Sequence, residues 1–98
     1  VADVRVKFSG EIWYWRGPAP HYFVSVPEEH CLVLQDLSGM VSYGWGMIPV
    51  TVTIGATTWK TSLFPKDGRY IVPIKAQVRT KENLDEGQTT DLDLAVAT

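Results

Sequence analysis

Apolar and polar side chains alternate with a period of two along most of this chain. Between Asp3 and Trp15, Val4, Val6, Phe8, Ile12 and Tyr14 share one parity, and Asp3, Arg5, Lys7, Ser9 and Glu11 share the other. That is the signature of a half-buried strand. Gly10 falls on the apolar parity, where a bend or bulge fits, and a strand this long curls to serve two sides of a barrel. At Trp13 and Trp15 the outer parity turns aromatic, so another part of the chain is expected to cover that end. Arg16-Gly17-Pro18-Ala19-Pro20 breaks the strand into a loop. A second strand follows, with Tyr22, Val24 and Val26 in phase.

The period then changes. Pro27-Glu28-Glu29 opens a short helix. Proline suits a first turn whose N–H is unpaired in any case, and the glutamates complement the positive helix end. Cys31, Leu34 and Leu37 follow at near-helical spacing, and Ser38-Gly39 marks the stop.

Beyond a loop over 40–46, the stretch from Tyr43 to Val78 predicts three strands joined by tight turns. Ile48, Val50, Val52 and Ile54 point one way, with Thr51 and Thr53 opposite. Gly55-Ala56 is a two-residue hairpin turn. In the partner strand, Thr57 to Phe64, one face holds Trp59, Thr61 and Leu63 and the other Lys60, Ser62 and Phe64. Pro65-Lys66-Asp67-Gly68 makes the second turn. Tyr70, Val72 and Ile74 mark the next strand, where Pro73 argues for an edge or a bulge.

Lys75 to Leu84 reads as a short helix carrying Ala76, Val78 and Arg79. Thr89 to Val96 is the last strand, with Leu92, Leu94 and Val96 inside and Asp91 and Asp93 outside. Six strands and one or two short helices in 98 residues predict one all-β domain closed as a small barrel.

Composition narrows the function classes. Nine basic and eleven acidic side chains leave a net charge of −2, which speaks against a dedicated nucleic-acid binder with its basic stripe. Cys31 is the single cysteine, so neither an internal disulfide nor a cysteine zinc site is available. His21 and His30 do not stand at metal-ligand spacing, and no metal or cofactor is expected. No apolar run reaches the roughly 18 residues of a membrane-spanning helix, and no signal-peptide pattern opens the sequence. A soluble cytoplasmic protein is the expectation.

Several segments resemble a known bacterial family. They are Gly44-Trp45-Gly46 leading into Ile48-Pro49-Val50, the Ile54-Gly55 hairpin and the run from Trp59 to Pro65. Tyr70 through Lys75, Val78-Arg79 and the Leu84–Gly87 turn continue the match, with support from Ile12–Trp15 and Phe23–Glu29. Together these are similar to the family called domain of unknown function 1905. The resemblance implies a closed six-stranded barrel with Greek-key connections, and it implies no reaction. Gly87-Gln88 departs from the family's usual Gly-Asp, and His21 stands where an aromatic residue is common.

Catalytic signatures are thin. His30 and Cys31 are neighbours on a helix and point about 100° apart. Ser62 lies on a strand, unlike the nucleophile elbow of hydrolases. Glu28-Glu29 and the Glu82, Asp85, Glu86 group read as a helix-end complement and a solvated turn. The aromatics are the better functional set. Four tryptophans in 98 residues offer stacking and cation–π surfaces.

The candidate ligand site is Trp45 and Trp59 for contact area, with Lys75 and Arg79, spaced i, i+4, for an anion. The expected function is a non-enzymatic module binding a small molecule or a protein partner. Two alternatives stand beside it: a self-associating barrel anchored by Trp13 or Trp15 as a homodimer, and a small enzyme using Ser62 or His30.

Overall fold

The computed structural model describes residues 3–41 and 46–97. Its elements in chain order are β1 (Asp3–Trp15), β2 (His21–Ser25), α1 (Glu28–Val41), β3 (Ile48–Ile54), β4 (Thr57–Lys66), β5 (Arg69–Ile74), α2 (Ala76–Glu82) and β6 (Thr89–Ala97). The strands close on themselves in the order β1-β2-β5-β4-β3-β6, every pair antiparallel. β3, β4 and β5 form a meander, and β2 lies against β5, which makes the 2-5-4-3 run a Greek key.

β1 serves two partners, as its length predicts. Asp3 to Glu11 pair with β6, and Ile12 to Trp15 pair with β2. The changeover falls beside Gly10. A Cβ built there would strike the Val24 side chain, so the missing side chain is what lets the strand turn inward. The apolar parities meet inside, where Val24, Val52, Val72 and Leu94 are fully buried.

The helices cover opposite ends of the tube. α1 packs on β3 and β5. It buries Cys31 and Leu34, and the Cys31 thiol donates to the Val26 carbonyl at 3.4 Å. Arg69 clamps the same carbonyl with Nε at 3.2 Å and Nη2 at 2.9 Å. At the other end α2 buries Val78 and meets the β3–β4 hairpin, where the Thr57 hydroxyl donates to Glu82 at 2.7 Å. Asn83 closes α2 in the left-handed conformation.

Three local details differ from the sequence expectations. β4 absorbs Pro65 and Lys66, which leaves Asp67-Gly68 as a two-residue turn. Both turn residues have positive φ, 52° and 78°, the demand of a type I′ hairpin. α1 runs through Ser38-Gly39 to Val41; a helical glycine costs about 1 kcal/mol without ending the helix. Pro73 lies within a closed barrel rather than on an outer strand, yet its β4 side is a local free edge. It stands opposite Phe23 on β2. The β4–β5 ladder covers Phe64–Ile71 to Lys66–Arg69 and stops short of Pro73, which has no N–H to give.

Candidate functional site

The register places a second apolar surface on the outside of the barrel. On β5 five consecutive residues, Tyr70 to Ile74, are buried, so this strand is covered on both faces. Its outward residues are Ile71 and Pro73. Ile71 stands between Ser25 on β2 and Phe64 on β4, and Pro73 stands opposite Phe23. Phe23 in turn stands opposite Trp13, and His21 opposite Trp15.

Phe23 is only 4% exposed although it lies outside the tube. Aromatic neighbours cover it: the centroid distances are 5.2 Å to Trp13, 5.4 Å to His21, 6.4 Å to Trp15 and 6.5 Å to Phe64.

Trp15, His21, Phe23, Phe64, Ile71 and Pro73 line a groove of about 710 Å³, completed by Ala19, Pro20, Thr61, Pro65, Lys66 and Lys75. The buried side chains Phe23, Ile71 and Pro73 form its floor, and the exposed Trp15, Lys66 and Lys75 its rim. Trp15 packs against the Pro-rich loop, since a Cβ at Gly17 would run into its indole ring. Trp13 is fixed beside it, with Nε1–H donating to Ser25 Oγ at 3.0 Å.

Charge is one-sided here, because the lining holds two lysines and no carboxylate. Lys66 Nζ sits 5.5 Å from the Trp15 ring centroid and 3.8 Å from Asp67. Lys75 has no ion pair among the described residues. Burial, and then the Arg79 charge, hold the His21 pKa below the usual 6.5, so its imidazole is neutral at neutral pH.

Of the four residues singled out by sequence, Lys75 lines this groove. Trp59 points into the barrel opposite Val52, packed on the core, with Nε1 buried and unpartnered. Arg79 stacks its guanidinium 3.7 Å from the Tyr22 ring centroid and borders a separate dent with Asn83. Trp45 lies outside the described residues. The i, i+4 spacing does not align Lys75 with Arg79, because Lys75 is the N-cap, with extended backbone at φ −65° and ψ 150°.

The family model of the domain of unknown function (DUF1905) matches residues 8–94. The chain belongs to the DUF1905 family. No curated protein matches it. In this DUF1905 barrel the groove residues missed by sequence reasoning are Phe23, Phe64, Lys66, Ile71 and Pro73. The signal was present in the unbroken apolar runs Tyr22-Phe23-Val24 and Tyr70 to Ile74, which leave no polar parity for water. Among the described residues no helix is long and apolar enough to cross a membrane, and no group of three or more His, Cys, Asp or Glu is placed to hold a metal.

Proposed function

We propose that this DUF1905 domain is a non-enzymatic binding module whose ligand lies in the outer groove. One observation carries the reading: aromatic walls, an apolar floor and two lysines share one concavity. Its volume falls in the roughly 300–1,000 Å³ range of small-molecule sites. The lining also favours binding over catalysis. His21 is its one histidine, and no carboxylate or thiol accompanies it there, whereas an activated nucleophile needs a base and an orienting group in reach.

A thermal-shift screen tests the reading. Compounds that raise the melting temperature of the wild type are expected to lose that effect against Trp15→Ala and Phe64→Ala. Hits that act equally on all three proteins would place the site elsewhere.

A second reading, self-association, is favoured by Trp15, 38% exposed at the groove rim. Sedimentation at micromolar concentration separates the two, since a dimer dispersed by Trp15→Ala supports assembly through this face.

A further inference from the structure

We infer that the groove selects a small planar aromatic molecule carrying one anionic group. This rests on the groove being the ligand site and goes on to name the chemical class.

The register gives the groove two unlike ends. Trp15 on β1 stands opposite His21 on β2. Tyr22 stands opposite Ile74, so the next rung outward sets His21 beside Lys75. Trp15 and His21 thus pair across β1 and β2, Lys75 just beyond the end of β5 lines the same groove, and the Lys66 ammonium, although Lys66 pairs with Arg69, sits 5.5 Å from the Trp15 ring centroid. Two cations thus border the end that holds the neutral imidazole. Such an imidazole both donates and accepts a hydrogen bond and adds no charge of its own. The next two rungs are apolar, Phe23 opposite Pro73 and then Ile71 opposite Phe64, and Lys66 opposite Arg69 follows them.

A ligand that satisfies both has a flat body over the apolar rungs and a negative group at the His21 end. A neutral aromatic leaves the ammonium groups to water. Aromatic faces accept flat rings in offset or edge contact, and ammonium groups reward a carboxylate or sulfonate with charge-assisted hydrogen bonds. The protein's net charge of −2 does not steer anions toward it, so the preference comes from this local pair.

Two fluorescent probes of one ring system test the class. One is 8-anilinonaphthalene-1-sulfonate, and the other is N-phenyl-1-naphthylamine, which lacks the sulfonate. The wild type is expected to bind the sulfonate at least about tenfold more tightly. Lys75→Gln and Lys66→Gln are each expected to narrow that ratio, and together to bring it near one. Far-UV circular dichroism confirms that the variants keep the fold.

Equal affinity of the wild type for both probes overturns the anion class and leaves groove binding standing, provided Trp15→Ala weakens both. A sulfonate preference that survives the double lysine variant also overturns the inference. If Trp15→Ala changes neither affinity, the groove is not the site and the reading beneath it falls as well.

Discussion

Arg79 holds its guanidinium 3.7 Å from the centroid of the Tyr22 ring. The contact joins α2 to β2 at one end of the barrel. It continues a column, for Tyr22 packs 4.7 Å from Tyr14, and Arg16 lies 5.1 Å from the Tyr14 ring centroid. A cation over an aromatic face is worth about 0.5–2 kcal/mol, more when water is excluded. Arg79→Gln is expected to lower unfolding free energy in urea by about 1–2 kcal/mol, with Arg79→Lys between it and the wild type. The same change removes a charge that disfavours His21 protonation, so an NMR titration should find the His21 pKa raised.

Gly10 is required by its neighbour. A methyl there collides with Val24, and overpacking of this kind costs about 1–3 kcal/mol. Gly10→Ala should shift the urea midpoint down without changing the slope. Adding Val24→Ala makes room, and the double variant should lose less than the sum of the single losses.

Arg69 ties β5 to the end of β2 through the Val26 carbonyl. Hydrogen bonds from a charged donor contribute about 1.5–3 kcal/mol. Arg69→Met keeps the stem and removes the donors, so a loss of about 2 kcal/mol is expected in denaturant melts. Hydrogen exchange at the Val26 amide, which donates to the Tyr70 carbonyl at 2.9 Å, should accelerate with it.

His21 makes folding sensitive to mild acid. Its folded pKa is lowered, first by burial and then by Arg79. Between that value and the unfolded 6.5, the unfolded chain binds more protons, so stability rises with pH. The contribution is fully present above 6.5 and is lost as pH falls through the folded pKa. Melting temperatures recorded from about pH 7.5 down to about 5.5 should fall less steeply for His21→Gln than for the wild type.

Much of the barrel was legible because its strands obey parity. Ile48, Val50, Val52 and Ile54 alternate with half-buried or exposed positions, which leaves one choice of inward face, and the closed order agrees with the family resemblance. The groove was less legible for a physical reason. Parity reports which side of a strand is dry only when the other side is wet, and around Phe23, Ile71 and Pro73 both sides are dry. Of the candidate residues that the structure describes, Lys75 lines the groove. Its pairing with Arg79 did not follow, because helical spacing begins after the cap. Trp59 shares parity with Leu63 and went inward with it, as bulk filling a narrow tube.

The strand pairing that closes the barrel joins distant parts of the chain: Arg5 meets Asp93 across 88 positions. Loop-closure entropy must be met before that contact gives anything back. Until the seam zips, β1 and β6 each offer a bare edge to any passing strand. The seam's outward groups, Arg5 and Lys7 near Asp93 and Ser9 facing Asp91, give it a lock-and-key sign pattern. A strand that sets like charges against either lip is disfavoured. The same exposed ion pair that contributes little to the finished tube thus favours the native partner over a like-charged one when the seam pairs.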